Sequence, residues 1–150
     1  MRIAVASDHA GFAAKEALKR HLGTLGHAVE DFGCPGEASC DYPDFVIPAA
    51  EAVAAGRCER GFVLGGSGNG EAMAANKVAG IRAAVVTDDF TAEMARRHND
   101  ANVASFGARV LREAEILRLA KTFLDTAFDG GRHLPRIGKI AAYEKRRGTA

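Results

Sequence analysis

The sequence carries almost no net charge: twenty basic side chains stand against nineteen acidic ones, a formal charge of +1 over 150 residues. No global field then draws the chain toward nucleic acid or a membrane surface, and any anion it binds must be held locally. Long apolar runs are missing too. Nothing approaches the roughly 18 apolar residues of a membrane span, and Met1 leads straight into the strand-like "RIAVAS" without the regions of a secretion signal. A soluble, cytoplasmic protein is expected. Cysteine is scarce, and Cys34, Cys40 and Cys58 make an odd number at spacings that fit no zinc or redox motif. Reduced thiols in a reducing compartment are the expectation. Repeats, low-complexity tracts and interdomain linkers are absent, and 150 residues suit one domain that buries roughly 70% of its unfolded surface.

Short β-branched runs alternate with Ala-rich segments of helical period, which implies a parallel sheet with helices on both faces. Strands are expected at Ile3–Ala6, Ala28–Phe32, Gly61–Leu64, Ala83–Val86 and Val103–Phe106. Helices are expected at about Phe12–Leu25, Asp44–Ala55, Gly70–Asn76, Thr91–His98 and Arg112–Asp125. The glycines and proline of "FDGGRHLPRIG" break the pattern, after which "KIAAYEKRR" fits one further helix. Its apolar face is narrow and suits packing on a neighbour, such as another subunit.

In such a sheet, ligands bind beyond the carboxyl ends of the strands, where strand order reverses. The third strand runs there into "GGSGNGE", Gly65 to Glu71. A dinucleotide fingerprint fails, because Glu71 stands where the third glycine belongs. A P-loop also fails, because Glu71 and Ala72 replace its lysine and hydroxyl, and the nucleophile-elbow pattern ends at Asn69 instead of glycine. What remains is a loop whose backbone amides can converge on an anion at a helix N-terminus. An ionised Glu71 would repel a phosphate already present. If Glu71 instead takes a proton from carbon, it becomes neutral as an enolate or enediolate forms, and the amides receive the new charge. The plainer alternative is an acidic residue favoured in the first turn of a helix.

Several motifs resemble, in order and along nearly the whole chain, the type B ribose-5-phosphate isomerases and the related galactose-6-phosphate isomerase subunits. They are "SDHAGF", "DYPDF", "GGSGNGEAMAANKVAGIRAAV", "RRHNDANVASFGARV" and "GGRHLPRI". The resemblance implies a Rossmann-like α/β three-layer sandwich around five parallel strands, with the C-terminal helix packing on a partner subunit. It also implies a homodimer or a tetramer of dimers, no metal, no cofactor, and aldose-ketose isomerisation of a sugar phosphate through a cis-enediolate. Glu71 would be the base, with Ser67 positioning it or the substrate, and the backbone of Gly66, Ser67, Gly68, Asn69 and Gly70 would form the anion hole. Asp8 would shuttle hydroxyl protons, and Tyr42 would line the pocket. His98 would open the sugar ring, Asn99 would hold a substrate oxygen, and His9, Arg109, Arg132 and Arg136 would grip the phosphate. His98, Asn99 and Arg109 are expected to reach across a two-fold axis to the partner's Glu71. Another branch of the family carries a catalytic cysteine where this chain has Gly65, so the chain resembles the glutamate-using branch.

Simpler roles exist for several of these residues: Asp8 as a helix cap, His98 as a cation at a helix C-terminus, and "TDDF" as a cap rather than a metal pair. His21 and His27 read as structural. Ribose 5-phosphate is the default substrate, with allose 6-phosphate, galactose 6-phosphate or a tetrose phosphate as alternatives. A Rossmann-like metabolite-binding module without chemistry is the alternative outside the enzymes.

Overall fold

The computed structural model describes residues 1–147. Its strands are β1 (Arg2–Ser7), β2 (Ala28–Asp31), β3 (Arg60–Gly65), β4 (Ala83–Val85) and β5 (Val103–Gly107). Between and after them come helices α1 (Phe12–Thr24), α2 (Pro43–Ala54), α3 (Asn69–Ala75), α4 (Asp89–Asn99), α5 (Glu113–Asp125) and α6 (Leu134–Arg147), with a 3-10 turn at Gly131–His133. All strand pairs are parallel, in the order β2-β1-β3-β5-β4.

The three central strands are apolar almost throughout because both faces of the sheet are covered. On one face Ile3, Val5, Phe62, Leu64 and Phe106 pack against Leu18 and Leu22 of α1, Ala92 and Ala95 of α4, and Leu119 and Phe123 of α5. Aromatic packing fills this side: the Phe62 ring stacks on Phe106 at 5.8 Å and meets Phe123 edge-on at 5.9 Å. The other face is built from smaller residues, Ala4, Ala6 and Val63 against Ala49, Ala50 and Val53 of α2 and Ala74 and Ala75 of α3. Small side chains let α3 sit close to the sheet, which matters for the residue it carries. From β1 the chain winds outward to β2 and then returns to β3 on the other side, so the crevice opens at the carboxyl ends of β1 and β3.

Element boundaries fall within a residue or two of those expected, except in the last segment. Only Gly130 and Gly131, with φ of 63° and 52°, break the chain there. Helix α6 starts at Leu134 and accepts Pro135 in its first turn, where a missing N–H leaves no bond unmade. Its Leu134, Ile140 and Tyr143 are exposed. Asp88 caps α4 by accepting from the Thr91 N–H at 2.7 Å, as the "TDDF" pattern suggested.

An ion pair buried on its lysine side positions the loop that leads into the crevice. Lys15, only 1% exposed, lies 2.7 Å from an Asp31 carboxylate oxygen, and Asp31 also accepts from the Gly33 N–H at 2.9 Å. Gly33 and Cys34 are then tied to Ser7 by backbone bonds of 2.7 and 2.9 Å. Burial alone would push the Asp31 carboxyl up. Hydrogen bonds from Lys15, Lys19 and the Gly33 amide outweigh it and hold the carboxyl below its ordinary range.

Candidate active site

At the carboxyl ends of β1 and β3 lies an open cleft of about 420 Å³, lined by Asp8, Tyr42, Gly66, Ser67, Gly70, Glu71, Arg109 and Val110. Glu71 is its one deeply buried ionisable group, at 4% exposure among the described lining residues. The first turn of α3 aims its carboxylate back at the strand end, against the bare Cα of Gly65. A Cβ on Gly65 would stand 1.9 Å from Glu71 Oε1. Gly68, with φ of +80°, makes the left-handed turn from strand into helix, and a Cβ there would come within 3.0 Å of the Phe106 backbone. Gly70 lets the Tyr42 ring close over the loop.

Burial pushes the Glu71 carboxyl above its ordinary range; its own backbone amide works the other way, and the charge of Asp8 adds to the rise. A proton taken up there is therefore held better than by a surface glutamate. The position is sensitive to a single methyl. In Gly65→Ala we expect the carboxylate to be displaced, lowering kcat at least about 10²-fold, while the melting temperature changes little because the clash is with a side-chain tip. Near-normal kcat in this variant would show that the carboxylate's seat on Gly65 is irrelevant to turnover.

The loop's carbonyls face β5 and the segment after it. Gly65 and Gly66 accept from the Ala108 and Arg109 N–H groups at 2.8 and 3.0 Å, and Gly68 accepts from the Ser105 hydroxyl at 2.6 Å. A trans peptide sets each carbonyl opposite the following N–H, so the amides of Gly66 and Ser67 face away from that segment. Ser67 Oγ accepts from the Asn69 N–H at 3.3 Å, tightening the turn.

Asp8 lines the cleft and accepts from the Gly11 N–H at 2.9 Å in the turn before α1; the N-cap of α1 is Gly11 itself, with no side-chain cap, so Asp8 is not the helix cap of the plainer reading. His9 is half-buried beside it, and its Nδ1 accepts from the Cys40 N–H at 3.4 Å. That bond occupies Nδ1 and leaves Nε2 as the ring nitrogen that can face an anion.

Arg109 is exposed and lies over Gly66 of its own chain, 3.4 Å from where a Cβ would be. The expectation that it crosses to a partner's site is corrected: its guanidinium already lines the cleft of the chain that carries it. The reason is local, since the Arg109 amide is pinned to the Gly66 carbonyl.

His98, Asn99, Arg132 and Arg136 are not in this cleft. A helix that follows a parallel strand runs back along it, so the C-terminal end of α4 lies at the amino edge of the sheet, opposite Glu71. There the His98 ring stacks on His133 at 4.3 Å, with Arg132 and Arg136 near enough to act on His133 electrostatically. Asn99 borders a second cavity with Arg82 and Glu144. His133 had no role in the sequence reading although "GGRH" contains it. Its position beside Arg132 and three residues before Arg136 was the available signal. Burial, the neighbouring His98 and the two arginines keep its imidazole below the ordinary histidine range.

The model of the family described as Ribose/Galactose Isomerase matches residues 3–140. Ribose-5-phosphate isomerase B of Escherichia coli is 39% identical over 146 residues, covering 97% of this chain and 98% of that protein. The structure of ribose-5-phosphate isomerase B from Clostridium thermocellum superposes with a TM-score of 0.96 at 47% identity, over 98% of this chain and 99% of that one. The Mycoplasma genitalium enzyme, solved with bound ribulose 5-phosphate, gives 0.92 at 40% identity over 96% of both chains. The buried glutamate at the glycine turn thus sits within a whole-chain match in sequence and fold, and this chain belongs to the ribose/galactose isomerase family.

Proposed function

We propose that the chain is a single sugar-phosphate isomerase domain that interconverts ribose 5-phosphate and ribulose 5-phosphate. The observation that carries this is the buried Glu71 carboxylate, seated on Gly65 beside the glycine turn. In the forward direction Glu71 takes the proton from C2 of the open-chain aldose, and the electron pair forms the C1–C2 double bond. The former aldehyde oxygen becomes the enediolate oxyanion, received by the amides of the glycine loop, of which those of Gly66 and Ser67 face away from β5. Glu71 then returns its proton to C1, while Asp8 moves the hydroxyl proton from O2 to O1. Ser67 and Tyr42 hold the substrate over the base, and the absence of a side chain at Gly65 supports the glutamate-using route.

His98 acts as the acid that opens the furanose ring, with Asn99 beside it, in the site of a second copy. Its place at the amino edge supports this, because only another chain can bring it to Glu71 in the crevice. The exposed Leu134, Ile140 and Tyr143 of α6 supply apolar surface for that packing, as a homodimer or a tetramer of dimers. Arg132 and Arg136 then grip the phosphate with Arg109 and His9. The free thiols of Cys34, Cys40 and Cys58 fit the reducing cytoplasm.

The direct test is turnover of C4, C5 and C6 aldose phosphates, which differ by one CHOH unit. Ribose 5-phosphate should show the highest kcat/KM, and a tetrose or hexose phosphate in its place would overturn the substrate assignment. For the grip, Arg136→Ala should raise KM with kcat nearly unchanged, the mark of lost uniform binding. A collapse of kcat at constant KM would instead make the arginine a transition-state group.

A further inference from the structure

His98 and His133 are more than neighbours: their rings stack with planes 14° from parallel. The Asp129 carboxylate completes the group, since one ligand atom from each of His98, Asp129 and His133 lies within 4.8 Å of the others. The three come from separate pieces of chain held in fixed relation. His98 is set by α4, His133 by the 3-10 turn, and Asp129 by its backbone N–H to the Arg97 carbonyl at 3.0 Å. Two imidazole nitrogens and a carboxylate oxygen, with a fourth position open to water, form a donor set that zinc accepts. The imidazoles need only turn about χ2, a broad torsion, to bring both lone pairs toward one point.

The surroundings select the kind of ion. Arg132 and Arg136 act on His133, and Arg97 Nε lies 3.2 Å from both Asp129 oxygens. A hard cation held by charge alone, such as magnesium or calcium, meets three guanidinium groups and too few oxygens. A borderline ion bound through nitrogen lone pairs tolerates them better. The Arg97–Asp129 pair is exposed on both sides, so it contributes little and can be exchanged for a metal bond.

We propose that His98, Asp129 and His133 bind one divalent ion of the zinc type, and that this ion inhibits the isomerase reversibly by occupying the imidazole of His98. The inhibitory half rests on the role given to His98 above; the binding half does not.

The test uses the full chain in chelator-free, phosphate-free buffer, with zinc binding read by competition against a chromophoric chelator and isomerisation assayed in parallel. Wild type should take up about one zinc per chain, lose activity as it does so, and recover on adding EDTA, whereas magnesium should do neither. Asp129→Asn should keep its zinc-free activity, while its zinc affinity and its sensitivity to zinc both fall at least about 10-fold. His133→Gln provides the second reading of affinity and should fall likewise. Absence of zinc binding at micromolar concentrations, or unchanged affinity in both variants, overturns the site. Binding that the variants lose, without inhibition of the wild type, overturns the role of His98 and leaves the site standing.

Discussion

Glu71→Gln should lower kcat by about 10²–10⁴-fold, because the amide cannot accept the carbon-bound proton. Sugar phosphate should still bind, since the arginines and the loop are untouched. Exchange of solvent deuterium into recovered substrate should fall in parallel with turnover, which ties the loss to proton abstraction rather than to product release. The raised carboxyl adds two expectations. In the wild type, kcat/KM should climb with pH through the Glu71 titration, at a pH above that of a surface glutamate. A carboxyl whose folded pKa is raised favours the folded state while protonated, and that contribution disappears as pH rises through the folded value. At neutral pH the glutamine variant should therefore be at least as thermally stable as the wild type. A variant that turns over normally, or that unfolds many degrees earlier, would mark Glu71 as a structural residue.

In a mixture of two inactive proteins, Glu71→Gln and His98→Asn, activity should reappear. If each site joins Glu71 of one subunit to His98 of the other, a mixed two-fold dimer gathers both lesions in one site and leaves the second site native. Random reassociation of equal amounts makes about half the dimers mixed, so recovery should approach about a quarter of wild-type activity. Co-expression or co-refolding, followed by an isomerase assay against each parent alone, measures it. Mixed dimers visible by mass spectrometry but without activity would mean that each site is made within one chain. Arg109, which lies over Gly66 of its own chain, should behave in this experiment like Glu71 and not like His98.

The parallel α/β sheet was legible because β1, β3 and β5 are apolar on both faces and the intervening segments keep a helical period. The site was legible in part for a related reason: strand ends in such sheets face one crevice, so "SDHAGF" and "GGSGNGE" had to meet. Other features were not. Nothing in the spacing of β4 and β5 says that they pair in the order β5-β4, since that depends on how α4 and α5 share the face with Phe62 and Phe123. The start of α6 was hidden because Pro135 reads as a breaker in isolation and as a first-turn residue only once Gly130 and Gly131 have turned the chain. Arg109 was assigned to the wrong side because its placement follows from one backbone bond to Gly66. His133 escaped notice because stacking on His98 is a contact between segments more than thirty residues apart.

The contact between Glu71 and Gly65 also constrains how such a protein can change over generations. Any side chain at position 65 would occupy the space of the carboxylate, with a Cβ 1.9 Å from Glu71 Oε1. If Glu71 is the base, as proposed above, a lineage moving from glutamate to a cysteine at position 65 cannot begin with the cysteine, which displaces it, nor with loss of the glutamate, which leaves none. Either first step passes through an impaired ancestor. The two changes are expected to travel together or to await a spare copy of the gene, and swapping one alone between members of the two branches should fail where the pair succeeds.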